Sequence, residues 1–443
     1  MANRVEQFQT LYQQGLELLS QNRDEEAMSL LYTAAKIAPE GWLALAVELL
    51  KDGKSELALE RFHEVLKLSK VPKVRAAALN NIGMIWANSG RNEEAMRVFA
   101  EASEIAPEFP DTWSNIALMH KWKFDFTSAL YYANKALARD PWHEQACFIR
   151  SMIYLLSGDY ARGWEEYECR WRSKSNGLAK IATPFPEWNG RNGKRVFIYG
   201  EQGHGDTILM LRYARLIKER GLEQVWVVQK SMSPLAQSMG IIDLVMEPGH
   251  PVPEFDCHIP AVSLPRIFNT RLDTIPPAPY IPEPEPMDYG PGFHVGICWR
   301  GSKGQGNDMI RSTNLKHWSE LLALPGITFH SLQVDCAEEA LLYPQIKMYE
   351  KPADWLDTAR RIAGLDLVVS VDTSIVHVSG AIGKRCLVPM HCRPYFVYPP
   401  KSGKECPWYS TVILFRQKRE FEWEHVFGQI AEYLRGYERP NTR

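Results

Sequence analysis

One spacing constrains this chain more than any other feature. Ile82, Gly83, Ala95, Phe99, Ala102 and Pro107 return 34 residues later as Ile116, Ala117, Ala129, Ala133, Ala136 and Pro141. Gly15, Ala27, Leu31, Ala34 and Pro39 show the same pattern earlier, Ala46, Ala58, Phe62 and Val65 form a weaker copy, and Ser151, Gly163 and Tyr167 a degenerate fifth. Small residues at two places in each repeat let paired helices approach closely, while Phe62 and Phe99 fill the gap to the next pair. Turn-formers separate the helices at Gln21-Asn22-Arg23-Asp24, Asp52-Gly53-Lys54, Ser89-Gly90-Arg91-Asn92 and Ser157-Gly158-Asp159. Proline after the second helix is expected to stop it, since it lacks the N–H and clashes with the preceding turn. A single pair cannot bury its apolar face, so the pairs must stack into one continuous core. The interval from Ala58 to Ala95 is 37 residues, which implies a longer connection near Ser69-Lys70-Val71-Pro72-Lys73.

A 34-residue helical period is that of the tetratricopeptide repeat. The predicted fold is therefore an α-solenoid over residues 1–171, about four repeats and a degenerate fifth. Such arrays present a concave surface to extended peptides or protein partners, although nothing in the sequence identifies one. The rest of the composition is ordinary. Of 443 residues 45% are hydrophobic and 23% charged, with 51 Lys and Arg against 53 Asp and Glu, a formal net charge of −2. So even a balance offers no electrostatic footprint for nucleic acid and no polybasic membrane anchor. Eight scattered cysteines form no C-x-x-C pair and no zinc-binding spacing, which fits a reducing compartment. No apolar run approaches the ~20 residues needed to span a bilayer, and the first residues do not resemble a signal peptide. The expectation is a cytoplasmic protein without a transmembrane segment.

After Trp171 the helical period stops. Residues 172–194 are rich in Ser, Asn, Gly, Lys and Pro and are expected to be a linker or a covering segment. Short apolar runs then alternate with amphipathic stretches, the pattern of βαβ units. Val196–Tyr199, Gln224–Val228 and Leu244–Met246 are predicted strands, with a helix over Asp206–Arg220, giving a first Rossmann-like lobe at 195–274. Six prolines lie between Ile275 and Pro286, so residues 275–292 are expected to form an extended bridge. The alternation restarts over 293–443 with predicted strands at His294–Trp299, Thr328–Leu332, Leu367–Val371 and Cys386–Met390 and a helix at Asp354–Ala363. Two such lobes enclose a cleft between facing strand ends, where ligands of these sheets bind.

Three segments carry candidate chemistry. Gly200-Glu201-Gln202-Gly203-His204-Gly205-Asp206-Thr207 follows a strand and opens a helix, where glycines permit tight turning and the helix N-terminus favours negative charge. It is neither a G-x-G-x-x-G fingerprint nor a P-loop. Asp206 is either a helix N-cap or a general base at the strand edge. In Val371-Asp372-Thr373-Ser374-Ile375-Val376-His377, amides and two hydroxyls converge where a pyrophosphate would sit, with His377 one turn further on; the alternative is a capping sequence with a packed histidine. The Gly-rich loop Trp299–Ser312 carries Lys303 and Arg311, which either neutralise phosphate or belong to a solvated basic loop.

Residues 195–418 resemble the ADP-heptose–lipopolysaccharide heptosyltransferase family and its relatives fused to tetratricopeptide arrays. The resemblance rests on Gly200–Asp206, Asn307–Ser312, Ser370–His377 and Pro407-Trp408-Tyr409 leading to Leu414–Gln417, together with the aromatic junction Tyr160–Trp171. It implies a GT-B pair of lobes and inverting, metal-independent transfer from a nucleotide-diphosphate sugar, with no further cofactor. Asp206 would deprotonate the acceptor hydroxyl. Glu201, Gln202, Gly203, His204 and Gly205 would form the acceptor-side loop. Gly301, Arg311, Ser312, Lys316, Gln333, Asp372, Thr373, Ser374 and His377 would make up the donor side, Lys316 competing with Arg311 for the phosphates. No Asp-x-Asp triplet occurs, so the usual carboxylate pair for a metal-bound nucleotide sugar is missing from the sequence. The first lobe is short, and Met390–Tyr395 matches no motif. The expected partners are a nucleotide sugar and a protein or glycan acceptor, with a protein on the array. The competing reading is a non-catalytic adaptor with a relic α/β half; a sugar epimerase is a weaker third.

Overall fold

The computed structural model describes residues 2–21, 23–172, 178–201, 203–302, 308–334, 337–393, 395–399 and 403–437. The chain forms two compact units, one running to Ile153 and the other from Tyr154 onward. The first is built of helix pairs: Ala2–Ser20 with Asp24–Ala35, Pro39–Lys51 with Ser55–Leu68, Pro72–Asn88 with Asn92–Ile105, and Pro110–Trp122 with Phe126–Leu137. Ala27, Ala58, Ala95 and Ala129 are fully buried at the close approaches, as are Phe62 and Phe99. A methyl group on Gly83 would lie 2.4 Å from the Phe99 ring, so the glycine is needed for that contact. One apolar cluster runs from Leu31 through Trp42, Phe62 and Val65 to Ile82, linking successive pairs into a continuous core.

Proline follows the second helices as expected at Pro107 and Pro141, after Asn92–Ile105 and Phe126–Leu137, and a further set of prolines opens helices. Pro39, Pro72 and Pro110 are the first residues of the next helices, where the missing N–H would have had no helical partner. The turns within pairs share a left-handed residue: Gly53 (φ 74°), Gly90 (φ 77°), Phe124 (φ 61°) and Gly158 (φ 90°). Phe124 therefore adopts a backbone conformation that glycine supplies at positions 53, 90 and 158. Asp125, next to it, caps the following helix through the Ser128 N–H at 3.1 Å.

The fifth pair divides between the units, because its second helix, Tyr160–Tyr167, belongs to the second. Instead of a further repeat, its large residues Tyr160, Trp164 and Tyr167 meet Phe396 and Trp408 of the α/β part, with ring centroids 5.2–6.3 Å apart. Gly163 allows this helix to lie against Leu155.

The α/β part holds two sheets. Strands β1 (Arg195–Tyr199), β2 (Glu223–Val227), β3 (Leu244–Met246) and β4 (Cys257–Pro260) pair in parallel in the order β3-β2-β1-β4. Strands β5 (Phe293–Cys298), β6 (Ile327–Ser331), β7 (Ile346–Lys347), β8 (Leu367–Ser370), β9 (Cys386–Met390), β10 (Glu405–Cys406) and β11 (Tyr409–Arg416) form the second, in the order β10-β11-β9-β8-β5-β6-β7. All its neighbours are parallel except β10 with β11. In each sheet the first strand is central and the order reverses beside it, between β1 and β4 and between β5 and β8. Ligands of open parallel sheets bind outside the carboxyl ends of the strands at such reversals.

Several local expectations change. Strands β4, β7, β10 and β11 go unread in the sequence, and the helix expected over Asp206–Arg220 is two, His204–Leu211 and Ala214–Glu219. The break falls at Arg212 and Tyr213, both buried. Pro186–Trp188 is more than a linker, since its backbone exchanges hydrogen bonds with His258 on β4 at 2.7 and 3.1 Å and buries Trp188. The proline-rich bridge is tied to the second sheet's helices: the N–H groups of Tyr280 and Ile281 donate to the Ala381 carbonyl, and that of Met287 to Arg360. Among the described residues no helix is long and apolar enough to cross a membrane.

Candidate functional site

The chain leaves β1 at Tyr199, and the Gly200 N–H still bonds the Val227 carbonyl of β2 at 3.1 Å. Helix His204–Leu211 then starts with Gly203 as its N-cap. Asp206 is therefore the third residue of the helix and not its cap. From there a carboxylate reaches back to the orphan N–H groups, as in a capping box. At Gly205 an added methyl group would lie 2.8 Å from the His377 ring and 3.4 Å from Ser374 Oγ. That glycine lets the N-terminus of His204–Leu211 abut the N-terminus of Ser374–Ala381, the helix that follows β8. Two stretches 170 residues apart in sequence thus come together at the strand ends.

The contact brings two carboxylates within each other's field. Burial raises the Asp206 carboxyl to about 6, the nearby Asp372 adds to this, and the Tyr395 hydroxyl and backbone N–H groups pull the other way. Tyr395 Oη lies 3.4 Å from Asp206 Oδ1. Burial also raises Asp372, while Arg311, the Tyr398 hydroxyl and Arg416 favour its charged form. An aspartate raised to about 6, facing a second acid and the Tyr395 hydroxyl, is suited to accept a proton.

Arg311 is held by its own loop. Gly301 lies directly against the guanidinium, where a methyl group would come within 2.5 Å of Nη2, and its N–H donates to Ser312 Oγ at 2.9 Å. Ser312 donates in turn to Asp308 Oδ1 at 2.6 Å, and Arg311 Nη1 donates to the Asp372 carbonyl at 3.1 Å. Gln333 Oε1 accepts the backbone N–H groups of Trp299 and Arg300 at 3.2 and 3.0 Å, so it shapes the exit from β5. Thr373 caps its own helix through the Ile375 N–H at 3.3 Å, and its hydroxyl lies 3.1 Å from that of Ser370. One of the two hydroxyls expected to meet a phosphate is thus committed locally; Ser374 stays half-buried on the face toward Gly205.

His377 is buried and neutral, pushed down to about 3 by burial and by Arg212. Its Nδ1 pairs with the Tyr409 hydroxyl at 3.1 Å, which lies 3.1 Å from that of Tyr280. Arg212 joins this cluster, its guanidinium 4.8, 5.0 and 4.9 Å from the Tyr280, Trp408 and Tyr409 rings. It donates to the carbonyls of Pro276 and Trp408 at 2.9 and 3.1 Å, clamping the first sheet's helices to the bridge and to the second sheet. His377 is part of that clamp rather than a cation for the phosphates.

Other expected residues do not gather here. Both Glu201 oxygens are held by Arg170 at 2.9 and 3.1 Å, and one also accepts the Val262 N–H. Burial raises Glu201 to about 7 although Arg170 opposes this, because Glu168 shares the same guanidinium. His204 lies over Trp355 with centroids 5.4 Å apart, its Nε2 3.4 Å from Ser231 Oγ, at the edge of a hollow of about 600 Å³ lined by Ser231, Pro234, Glu247 and Asp354. Lys316 is exposed and lines a separate hollow with Asn314, His317, Glu320, Glu424 and Phe427. Gln202, Lys303 and Asn307 lie outside the described residues. Sequence reasoning missed Tyr395, Tyr398 and Arg212. Tyr395 ends the stretch that matched no motif and Tyr398 follows it, and a polar, aromatic run after a buried strand was the available signal.

Residues 76–109 match the tetratricopeptide repeat family. The N-terminal helices are tetratricopeptide repeats. Protein FlbA of Caulobacter vibrioides is 24% identical over 441 residues, covering 84% of this chain and 70% of that protein, so the likeness extends beyond the tetratricopeptide array into the α/β part. A photosystem I assembly protein, Ycf3, of Rippkaea orientalis is 33% identical over 72 residues, 16% of this chain and 42% of its own length. Among solved structures, pilF of Pseudomonas aeruginosa covers 49% of this chain and 87% of its own at 20% identity, with a TM-score of 0.35.

Proposed function

We propose that the α/β part is a GT-B-type, inverting, metal-independent glycosyltransferase that moves a sugar from a nucleotide-diphosphate donor to a hydroxyl acceptor, and that the tetratricopeptide array recognises a protein or other large acceptor. The reading is carried by one observation: Asp206, raised to about 6, meets the Asp372–His377 segment where both sheets reverse their strand order. Asp206 takes the proton of the acceptor hydroxyl, and the freed oxygen attacks the anomeric carbon from the face opposite the leaving group. The bond from that carbon to the diphosphate oxygen breaks, and the electron pair leaves with the nucleotide. Arg311 and the first turn of Ser374–Ala381 then face the departing charge. The absence of an Asp-x-Asp triplet from the sequence supports the metal-independent form.

Incubation with ADP-, GDP- and UDP-sugars and a panel of protein and glycan acceptors tests this by release of nucleoside diphosphate. Release that Asp206→Ala abolishes while donor binding persists supports the proposal. Failure of every nucleotide sugar to bind would instead favour an adaptor that acts through its repeats.

A further inference from the structure

The stretch that matched no motif begins at the end of β9 beside the end of β11: Arg416 pairs with Met390, and the Gln417 N–H donates to the Met390 carbonyl at 2.8 Å. Several buried polar atoms there have no hydrogen-bond partner among the described residues. They are His391 Nδ1, Arg416 Nε and Nη1, Gln417 Nε2 and, from the loop after β5, Arg311 Nε. His391 and Gln417 are only 7% and 6% exposed. Arg311 Nε has an ion-pair contact with Asp308 at 3.6 Å, and Arg416 is anchored on its other side by Nη2, which donates to the Tyr398 carbonyl at 2.7 Å.

An unpartnered buried donor costs more than a made hydrogen bond contributes, so several in one place call for a common acceptor. Three of these residues lie within one another's electrostatic reach, and Gln417 adjoins Arg416 in the chain. Burial and the cations Arg393, Arg416 and Arg311 push His391 down to about 3, and Arg311 and Arg416 both act on Asp372. Arg393 is already neutralised by Glu420, with bonds of 2.9 and 3.3 Å. That leaves Arg311 and Arg416 with His391 and Gln417, at the ends of neighbouring parallel strands and beside the N-terminus of Ser374–Ala381. The chemistry that satisfies forked guanidinium donors, an imidazole and a carboxamide together is a phosphate-type oxyanion.

We infer that Arg416, His391 and Gln417, with Arg311, form a diphosphate-binding subsite at the carboxyl ends of β9 and β11. The subsite rests on the proposed transfer reaction only for naming its ligand as a nucleoside diphosphate; the donor set itself asks for an oxyanion of any origin. Arg416 and Gln417 fall in the Leu414–Gln417 stretch but had no donor-side role assigned, and His391 lies where no motif matched; together they place the diphosphate against Asp372 rather than toward Lys316.

Calorimetry on the full chain with pyrophosphate, ADP, GDP and UDP, and with inorganic phosphate, tests the assignment. Pyrophosphate or a nucleoside diphosphate is expected to bind more tightly than inorganic phosphate, and Arg416→Gln and His391→Leu are each expected to weaken it by ~10-fold or more. The melting temperature of the ligand-free His391→Leu variant is expected not to fall, because it removes an unpartnered polar atom; a structural role for His391 predicts a fall. Should Arg416→Gln fail to fold, Gln417→Met and His391→Leu carry the comparison. Binding of none of these anions, affinities unchanged in the variants, or pyrophosphate no tighter than inorganic phosphate would each overturn the subsite. The two proposals separate cleanly. Pyrophosphate binding that the variants lose, without sugar transfer from any donor, leaves the subsite standing and removes the transferase reading. Transfer with an unaltered donor KM in Arg416→Gln does the reverse.

Discussion

In the repeats, charges pair with near neighbours on the surface; the α/β part has such pairs too, but adds buried ones that join residues far apart in the chain. Arg23–Glu26, Lys51–Glu48, Lys67–Glu64 and Arg91–Glu94 are all three residues apart on a helix and largely exposed. Pairs of that kind contribute roughly 0–1 kcal/mol each. Arg170 with Glu201, by contrast, joins residues 31 apart with both side chains 2% exposed, and Asp206 meets Asp372 from another sheet. The array depends on shape, on small residues opposite large ones at a fixed interval, and its charges are interchangeable. The α/β part spends stability on buried charge where its strands end, which is where chemistry needs it.

The sharpest way to break this comparison is Asp206→Asn. Turnover is expected to fall by ~10²–10⁴-fold with donor affinity unchanged, as for loss of a general base; single-turnover kinetics beside calorimetry would read both. A matching loss in the array is structural. Phe99→Ala should cost ~3–5 kcal/mol, because the ring is fully buried against Gly83. Denaturant melts would measure it, and pairing it with Gly83→Ala should recover part of the loss if the two positions share one volume. If either array substitution shifts the pH profile of turnover, the separation of the two regions is wrong.

Acidity gives a smaller effect. With Asp206 raised to about 6 from its ordinary 3.8, the folded state holds the proton more tightly than the unfolded chain. Its contribution to stability is therefore present below about pH 4 and is lost as pH rises through about 6. Asp206→Asn should then exceed the parent in stability above pH 6 by on the order of 1–2 kcal/mol, the shift being discounted for partial exposure, while kcat/KM of the parent climbs over the same interval. Parallel melts from pH 4 to 8 would show the crossing. In the array, Phe124→Gly relieves a left-handed backbone and should raise stability in denaturant melts by ~1 kcal/mol. Least of all, Lys316→Gln should alter donor binding by less than about 2-fold, since an exposed lysine outside the site offers only screened attraction.

How much of this was legible differs between the regions for the same reason. Ala95, Phe99 and Ala102 and their counterparts state the helix pairing outright, because each repeat contacts only its neighbours. Even there one role of proline went unread: Pro107 and Pro141 follow the second helices as expected, but Pro39, Pro72 and Pro110 begin helices, and only the register of the pair shows on which side of the turn each falls. In the α/β part, most strands rich in Val and Ile were readable, the two-residue β7 and β10 left no period to detect, and β4 and the eight-residue β11 went unread. Asp206 and Asp372 stood out through the glycines and hydroxyls beside them. Arg416 lay in the Leu414–Gln417 stretch without a role of its own, His391 and Tyr395 lay where no motif matched, and Glu201, which sits among the glycines, proved to serve an ion pair with Arg170.

By itself the sequence determined the repeat period, the change to alternating strands after Trp171 and the two segments holding Asp206 and Asp372, since each is encoded by residues close together in the chain. The tertiary structure alone decided that Gly205 brings those segments into contact, that Thr373 caps its own helix, that Arg212 locks His377 away and that unpartnered donors from β9 and β11 share one spot. Burial and pairing across 170 residues depend on how strands are ordered in a sheet, and no local pattern of residue types encodes that order.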